Sequence, residues 1–260
     1  MPAEPLLRVR DLSKTYFHRR WLMRPEPAAF ALTGVSFSIE RGRTLAVIGA
    51  SGSGKSTLAR CLTQFETPTG GEIVFEGRAL SPERRRDIQL IFQQPAASLN
   101  PRFTAAEIVE EALVIERRGT GTERRERAAS ALALTGIARA ALGKRAHEFS
   151  GGERQRLAIA RALVVEPKML ILDESFNGLD PTLADQVTAL LRALQGLLGI
   201  AYILISHDLT LVGELADEIA VMEHGAIVEQ AAAGTLMSQP RHPRTRELIA
   251  ARRVLEGLRG

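Results

Sequence analysis

Nine consecutive residues constrain this chain more than any others: Gly49-Ala50-Ser51-Gly52-Ser53-Gly54-Lys55-Ser56-Thr57, with the spacing GxxxxGK[ST]. An apolar run, Thr44-Leu45-Ala46-Val47-Ile48, precedes them, and a helical pattern, Leu58-Ala59-Arg60-Cys61-Leu62, follows. The order predicts strand, glycine-rich loop, helix. Glycines let the backbone curl until successive N–H groups converge on phosphate oxygens. The helix that starts there adds its own unpaired N–H groups and the positive end of its dipole. Lys55 can then reach β- and γ-phosphates, and the Ser56 hydroxyl can ligate Mg²⁺. The competing explanation is a glycine-rich turn that matches by accident. At ordinary residue frequencies about one chain in a hundred of this length carries the spacing by chance, and the strand–loop–helix context lowers that further.

At 260 residues the chain is long enough for one large or two small domains around a sizeable core. Its 45% apolar and 25% charged residues are those of a soluble globular protein. Cys61 is the single cysteine, which excludes an internal disulfide and any cysteine-only iron–sulfur or zinc site. The net charge of +4 comes from arginine, since the lysines are Lys14, Lys55, Lys144 and Lys168 alone. Such mild basicity suits a protein beside an anionic membrane surface or one that handles nucleotides. It is too diffuse for a nucleic-acid groove, so no nucleic-acid partner is expected. The opening Met1-Pro2-Ala3-Glu4-Pro5 carries no basic-then-apolar signal. The most apolar stretch, Leu197 to Ile205, is interrupted by Gly199 and falls far short of the roughly 20 residues a membrane helix needs. The expectation is a cytoplasmic chain whose membrane link runs through a partner.

Along the chain, Leu6–Arg10 reads as a short strand with Tyr16 shortly after it, and Phe17 to Phe30 as a basic loop holding Trp21. Val35–Ile39 alternates with period two, as a half-buried strand does. Glu72–Phe75 and Ile88–Phe92 read as strands, the second stopping at Gln93. From Thr104 to about Gly143 the pattern turns helical. Thr104-Ala105-Ala106-Glu107 has capping-box spacing, with Ile108, Ala112 and Ile115 placed on one face. Gly119 to Thr122 breaks that helix, and a second runs from Glu123 to Thr135. Ser150-Gly151-Gly152-Glu153 has capping-box spacing again. Met169–Leu172 is a continuous apolar run, as expected of a strand buried on both faces of a parallel sheet, and delivers Asp173-Glu174 at its end. Asp180-Pro181 opens a long amphipathic helix to about Leu198. Ala201–Ile205 is another buried strand, followed by Ser206-His207-Asp208, and Glu218–Met222 with Ala226–Val228 flank a hairpin signal at His224-Gly225. A basic helix closes the chain after Pro240.

In open α/β sheets, ligands bind outside the carboxyl ends of the strands. The loop Gly49–Thr57, Gln93, Asp173-Glu174 and Ser206-His207 all fall there. An unpaired carboxylate at the end of an apolar strand is costly, so Asp173 is assigned to Mg²⁺ through water. Glu174 is then placed to act as general base on the attacking water. His207 can hydrogen-bond a γ-phosphate, and Gln93 can contact metal and water. Taken singly, a strand-end Asp-Glu pair is usually a solvated turn and a lone histidine usually structural; the set in this order is what carries the reading. Within one subunit the glycines after Ser150 have no obvious duty. Either they are an ordinary capped helix start, or they form a second anion cradle that closes on a nucleotide held by another subunit.

The set Phe149-Ser150-Gly151-Gly152-Glu153-Arg154-Gln155-Arg156, Leu170-Ile171-Leu172-Asp173-Glu174, Gly178-Leu179-Asp180 and Ile205-Ser206-His207-Asp208 resembles the ATP-binding-cassette ATPases over nearly the whole chain. The resemblance implies an α/β fold of the P-loop NTPase cassette type, with a mostly parallel core sheet, an antiparallel β subdomain and a helical insert. It implies one cassette over residues 1–260, with a helical subdomain at about 95–165 and a C-terminal accessory helix at about 234–260. The family binds ATP and Mg²⁺ between two head-to-tail cassettes. By that resemblance Ser150, Gly151, Gly152 and Glu153 face the partner's ATP, with Ser150 and Gly152 at its γ-phosphate. Asp180 lies in the loop joining the two sites, Tyr16 stacks on adenine, and Gln93 also senses the membrane subunit. Finer matches point to oligopeptide, dipeptide and nickel importers. Ile91-Phe92-Gln93-Gln94-Pro95-Ala96-Ala97-Ser98-Leu99-Asn100-Pro101-Arg102 is similar to the segment after their glutamine loop, and His242-Pro243-Arg244-Thr245 to their C-terminal His-Pro-x-Thr. The chain departs from them at Gln94, at Arg244, in lacking cysteines after Cys61, and at Ser175-Phe176-Asn177-Gly178, where the family generally has Pro-Thr-Ser-Ala.

The resemblance implies an ATPase subunit at the cytoplasmic face of a membrane, working with two permease subunits and a second cassette. A paralogous cassette is preferred over a second copy, and an extracytoplasmic substrate-binding protein is an indirect partner. Two other readings stand beside it. A soluble cassette ATPase acting on nucleic acid or ribosomes usually has fused cassettes or a long insert, and this chain has neither. An accessory ATPase of a carbon–phosphorus lyase complex would be distinguished by lyase subunits encoded beside it.

Overall fold

The computed structural model describes residues 4–18, 26–92, 98–176 and 180–257. The elements, in chain order, begin with strands β1 (Leu7–His18), β2 (Glu26–Ile39) and β3 (Thr44–Gly49), helix α1 (Lys55–Leu62), and strands β4 (Gly70–Phe75) and β5 (Arg78–Ala79). Next come β6 (Ile88–Ile91), helices α2 (Ala105–Ile115), α3 (Gly121–Leu134) and α4 (Gly151–Leu163), β7 (Met169–Asp173) and α5 (Pro181–Leu198). The chain ends with β8 (Ala201–Ile205), α6 (Leu209–Leu215), β9 (Glu218–Glu223), β10 (Ala226–Ala232), α7 (Ala233–Ser238) and α8 (Pro243–Gly257). Two compact units result: Met1–Arg85 with Ala201–Gly260, and Arg86–Ile200.

In the first unit, β1 is the centre of an antiparallel sheet ordered β2-β1-β4-β5. β1 is longer than its sequence pattern indicates. Its alternation breaks at Asp11, whose φ of 47° marks a bulge, and the β1–β2 register shifts on either side of Leu12. Beyond the bulge the ladder continues through Thr15↔Phe30 and Tyr16↔Ala29. The expected loop from Phe17 to Phe30 is therefore corrected: β2 begins at Glu26, held by cross-strand pairing rather than by any periodicity of its own. The same unit holds parallel strands. β3 pairs with β8 from Thr44↔Tyr202 to Val47↔Ile205, and with β9 from Leu45↔Glu218 to Gly49↔Met222. Every residue of β3 and of β8 is buried, which is why both read as unbroken apolar runs.

In the second unit, β6 and β7 pair in parallel from Ile88↔Met169 to Ile91↔Leu172. Helices α2, α3 and α4 share a core of Ile108, Val109, Leu113, Ala128, Leu132, Phe149, Leu157 and Ala158. Each of the three starts with a complete capping box: Thr104 with Glu107, Thr120 with Glu123, and Ser150 with Glu153. The middle box starts α3 at Gly121, inside the stretch expected to be a break. The apolar face of α2 also differs from expectation. Ile108 is buried and Ala112 packs against the core as expected, but Ile115 is 75% exposed, and Val109 and Leu113 complete the buried stripe. Among the described residues no helix is long and apolar enough to cross a membrane.

The helical core has no slack at Leu132, which is fully buried between its neighbours. Leu132→Ala should lower unfolding free energy in urea by about 2–5 kcal/mol. A loss below about 1 kcal/mol would mean that the three helices do not pack as described.

Candidate functional site

The phosphate loop is shaped by how closely its backbone approaches neighbouring strands. A Cβ on Gly49 would lie 2.3 Å from the Met222 carbonyl oxygen of β9 and 2.8 Å from Ser53 Oγ. A Cβ on Gly54, where φ is +104°, would lie 2.4 Å from the Ala31 carbonyl oxygen of β2. The loop is then tied from behind: the Gly225 N–H donates to the Ser53 carbonyl at 3.1 Å, and the Thr33 N–H to the Gly225 carbonyl at 2.8 Å. Glycine is thus required at 49 and 54 for close approach, beyond the curl inferred from sequence.

Helix α1 starts at Lys55 with Gly54 as its N-cap, no side-chain cap and no acidic residue in its first turn. That start suits an anion. Lys55 is 6% exposed. Its Nζ donates to the Gly49 carbonyl at 2.9 Å, the Ala50 carbonyl at 2.8 Å and Ser53 Oγ at 3.4 Å, bridging the loop's two arms. Ser51, Gly52 and Ser56 are exposed, while Ala50 and Thr57 are half-buried. Cys61, on the covered side of α1, is fully buried; burial, the first cause, pushes its thiol up to about 11, so it packs and does not react.

His207 and Tyr16 belong to the same unit. The β3–β8 pairing ends at Val47↔Ile205, two residues before Gly49 on one strand and before His207 on the other. Ser206 is buried and its Oγ accepts the Asp208 N–H at 3.0 Å, while His207 between them is exposed. Tyr16, half-buried in β1, donates its phenol hydrogen to Glu66 Oε2. Burial first, and then that hydrogen bond, raise its pKa above the ordinary tyrosine value, so the phenol stays a donor at neutral pH. The Thr57 side chain of the phosphate loop lies beside the same phenol and opposes that rise.

In the second unit β7 ends at Asp173, and Glu174 follows in a left-handed conformation with φ 49°. Both carboxylates are half-buried. Ser175, where the resembled family has proline, donates its hydroxyl to the Ile91 carbonyl, and Phe176 is buried. These two contacts fix the residues after Glu174 by hydrogen bonding and packing. Ser150 Oγ accepts the Glu153 N–H at 3.2 Å while Glu153 Oε2 accepts the Ser150 N–H at 2.8 Å. The Ser150 N–H first, and then the Ser150 hydroxyl, hold the Glu153 carboxyl below the usual carboxylate range. The α4 start is therefore a capped helix in the way its spacing indicated. Gly151 is exposed. A Cβ on Gly152 would lie 2.7 Å from Leu183 Cδ1, so α4 begins against the first turn of α5. Asp180 caps α5, its Oδ1 accepting the Leu183 N–H at 3.0 Å.

The phosphate loop, Tyr16 and His207 lie in one unit, and Asp173, Glu174, Ser150–Glu153 and Asp180 in the other. Gln93, Trp21, Gly178 and Leu179 lie outside the described residues. Glu66 is the residue that sequence reasoning missed. It sits 50 positions from Tyr16, and no local spacing signals the pairing.

A family model described as ABC transporter matches residues 32–177. The dipeptide transport ATP-binding protein DppF of Escherichia coli (strain K12) is 45% identical over 255 residues, covering 95% of this chain and 76% of that protein. The di/tripeptide transport ATP-binding protein DppF of Pseudomonas aeruginosa (strain UCBPP-PA14) is 41% identical over 255 residues, covering 95% and 79%. Among solved structures, the dimeric post-hydrolysis state of the ATP-binding cassette MJ0796 bound to ADP and Pi is similar with a TM-score of 0.72 and 30% identity, over 87% of this chain and 98% of that one. Clostridium perfringens cbiO1, part of the cbiONQ ABC transporter complex, gives 0.77 and 30%, over 91% and 92%.

The loop geometry separates two glycines by experiment. Gly54→Ala forces a Cβ into the Ala31 carbonyl at positive φ, whereas at Gly52, with φ +78°, nothing lies within 4 Å. Gly52→Ala should cost about 1 kcal/mol of backbone strain, and Gly54→Ala at least about 2 kcal/mol more. Thermal unfolding of the two variants checks the order; equal losses would contradict the close approach.

Proposed function

Because the chain belongs to the ABC transporter family, we infer that it is the ATP-hydrolysing subunit of a peptide importer, energising transport as two cassettes close on ATP. The observation that carries the reading is the phosphate loop: a glycine-capped helix start, with a buried lysine bridging the loop arms, at the carboxyl end of a parallel strand. It accounts for ATP as substrate, since a triphosphate is the ligand such a loop is built to cradle. The relatives named for dipeptide and di/tripeptide transport support peptides as the cargo class.

The division of labour among residues is as follows. Backbone N–H groups of Gly49 through Thr57 hold the phosphates, and Lys55 turns its ammonium from the loop carbonyls to the β- and γ-phosphates. Tyr16 stacks on adenine. Glu174 takes a proton from water as the water oxygen bonds to the γ-phosphorus and the bond to the bridging oxygen breaks, releasing ADP and phosphate. His207 hydrogen-bonds the γ-phosphate oxygens. Ser150 with Gly151, Gly152 and Glu153 meets the nucleotide of the opposing cassette, and Asp180 lies in the loop between the two sites.

Mg²⁺ suits the donors present. Ser56 offers a hydroxyl and Asp173 a carboxylate, both hard oxygen ligands, with Gln93 as a further one. Among the described residues there is no cluster of three or more His, Cys, Asp or Glu that would make a dedicated cage. Mg²⁺ typically needs few protein ligands because phosphates and water complete its shell. When bound, the ion neutralises charge on the β- and γ-phosphates. The partners are membrane permease subunits, two in the full assembly, and a second cassette. A paralogue is favoured for that cassette, and a substrate-binding protein acts indirectly on the other side. The chain then sits peripherally at the cytoplasmic face of the membrane.

The experiment is Glu174→Gln in the assembled transporter. ATP binding should persist while turnover falls by about 10²–10⁴, the usual contribution of a general base. Turnover close to that of the unmodified complex would remove Glu174 from the base role.

A further inference from the structure

Tyr16 does not stand alone beside the phosphate loop. Glu66, in the turn after α1, accepts its phenol hydrogen and is itself held by two cations. Lys14 Nζ lies 3.7 Å from Glu66 Oε2, and an Arg60 N–H donates to Glu66 Oε1 at 3.5 Å. The Glu66 and Lys14 side chains are only 19% and 15% exposed. Lys14 is fixed a second time, donating to the Thr67 carbonyl at 2.8 Å, and its Nζ lies 5.2 Å from the centroid of the Tyr16 ring. The ring is therefore oriented at its hydroxyl end by Glu66 and attended by a cation.

We propose that Glu66 is a positioning residue for nucleotide binding: its carboxylate, braced by Lys14 and Arg60, holds the Tyr16 phenol and so presets the ring face on which the base stacks. The proposal rests on the reading of Tyr16 as the base-stacking residue. Its physical content is preorganisation. A tyrosine on a strand next to a loop has two soft side-chain torsions, and a ring fixed before binding loses less freedom when the base arrives. Glu66 touches neither base nor phosphate in this scheme. Its effect must therefore pass through the Tyr16 hydroxyl, and must vanish for a ligand that has no base. Lys14 is the second brace, since it neutralises Glu66 and occupies the ring's surroundings at once.

The test is equilibrium binding to the full chain of two magnesium-loaded probes, ATP and inorganic tripolyphosphate, for Glu66→Ala, Glu66→Gln, Tyr16→Phe, Tyr16→Ala and the Glu66→Ala/Tyr16→Phe pair. Glu66→Ala should weaken ATP roughly three- to tenfold, the range of one hydrogen bond, and leave tripolyphosphate unchanged. That unchanged control also shows the variant to be folded. Glu66→Gln keeps an acceptor oxygen and should restore most of the affinity. Tyr16→Phe should match Glu66→Ala, and the pair should be no weaker than either single variant. Equal losses for ATP and tripolyphosphate, or additive losses in the pair, would overturn the proposal. A loss in Tyr16→Ala with none in Glu66→Ala overturns it alone, whereas unchanged ATP affinity in Tyr16→Ala overturns the stacking role beneath it as well.

Discussion

The phosphate loop depends on two backbone approaches that no side chain survives: Gly49 against the Met222 carbonyl and Gly54 against the Ala31 carbonyl. These contacts make the loop a product of three strands, β2, β3 and β9. The hairpin turn at Gly225 then bonds to both β2 and the loop. An anion cradle must be rigid before its ligand arrives, because N–H groups that have to be ordered on binding give back much of what they contribute. Lys55 completes the arrangement. Its ammonium, buried and satisfied by loop carbonyls, is held where phosphate oxygens would compete for it.

The two helix starts that matter chemically are built in opposite ways. α1 begins on glycine with no side-chain cap and no acid, leaving its positive end to a ligand. α4 begins on Ser150 with Glu153 closing the capping box, so its first turn is stable without any ligand. An anion approaching Ser150 competes with the Glu153 carboxylate for the Ser150 N–H. This difference fits the proposed division between a permanent binding loop and a surface that meets phosphate only when a second cassette closes. The Ser175 hydroxyl bond to Ile91 shows the same economy on the carboxylate side. A side-chain tie does there what a proline ring does by restricting the backbone.

What could be read from sequence was what is written in short spacings. The loop, the boxes at Thr104 and Ser150, the buried runs of β3, β7 and β8, and the cap at Asp180 are each encoded within a few residues. What escaped depends on distant partners. β2 extends back to Glu26 because β1 pairs with it, across a bulge at Asp11 that breaks the pattern of β1. α6 was invisible because seven residues give too little periodicity, although Asp208 caps it through the Thr210 and Leu211 N–H groups. Ile108 is buried as its spacing indicated, but Ile115 looked buried by spacing and is exposed, since Val109 and Leu113 are the residues that join Ile108 against α3 and α4. Glu66 was silent for the same reason as β2: its meaning lies in Tyr16, far away in the chain.

The central claim is that one cassette holds ATP and another completes the site through Ser150. The most direct measurement is the distance between labels on the two cassettes of the assembled transporter, before and after MgATP. It is made in the Glu174→Gln background with and without Ser150→Arg in both cassettes. With Ser150 intact, MgATP should bring the labels together and hold them. With arginine at 150, each cassette should still bind ATP while the distance stays at its nucleotide-free value. Closure that is unaffected by arginine at 150 would contradict a composite site.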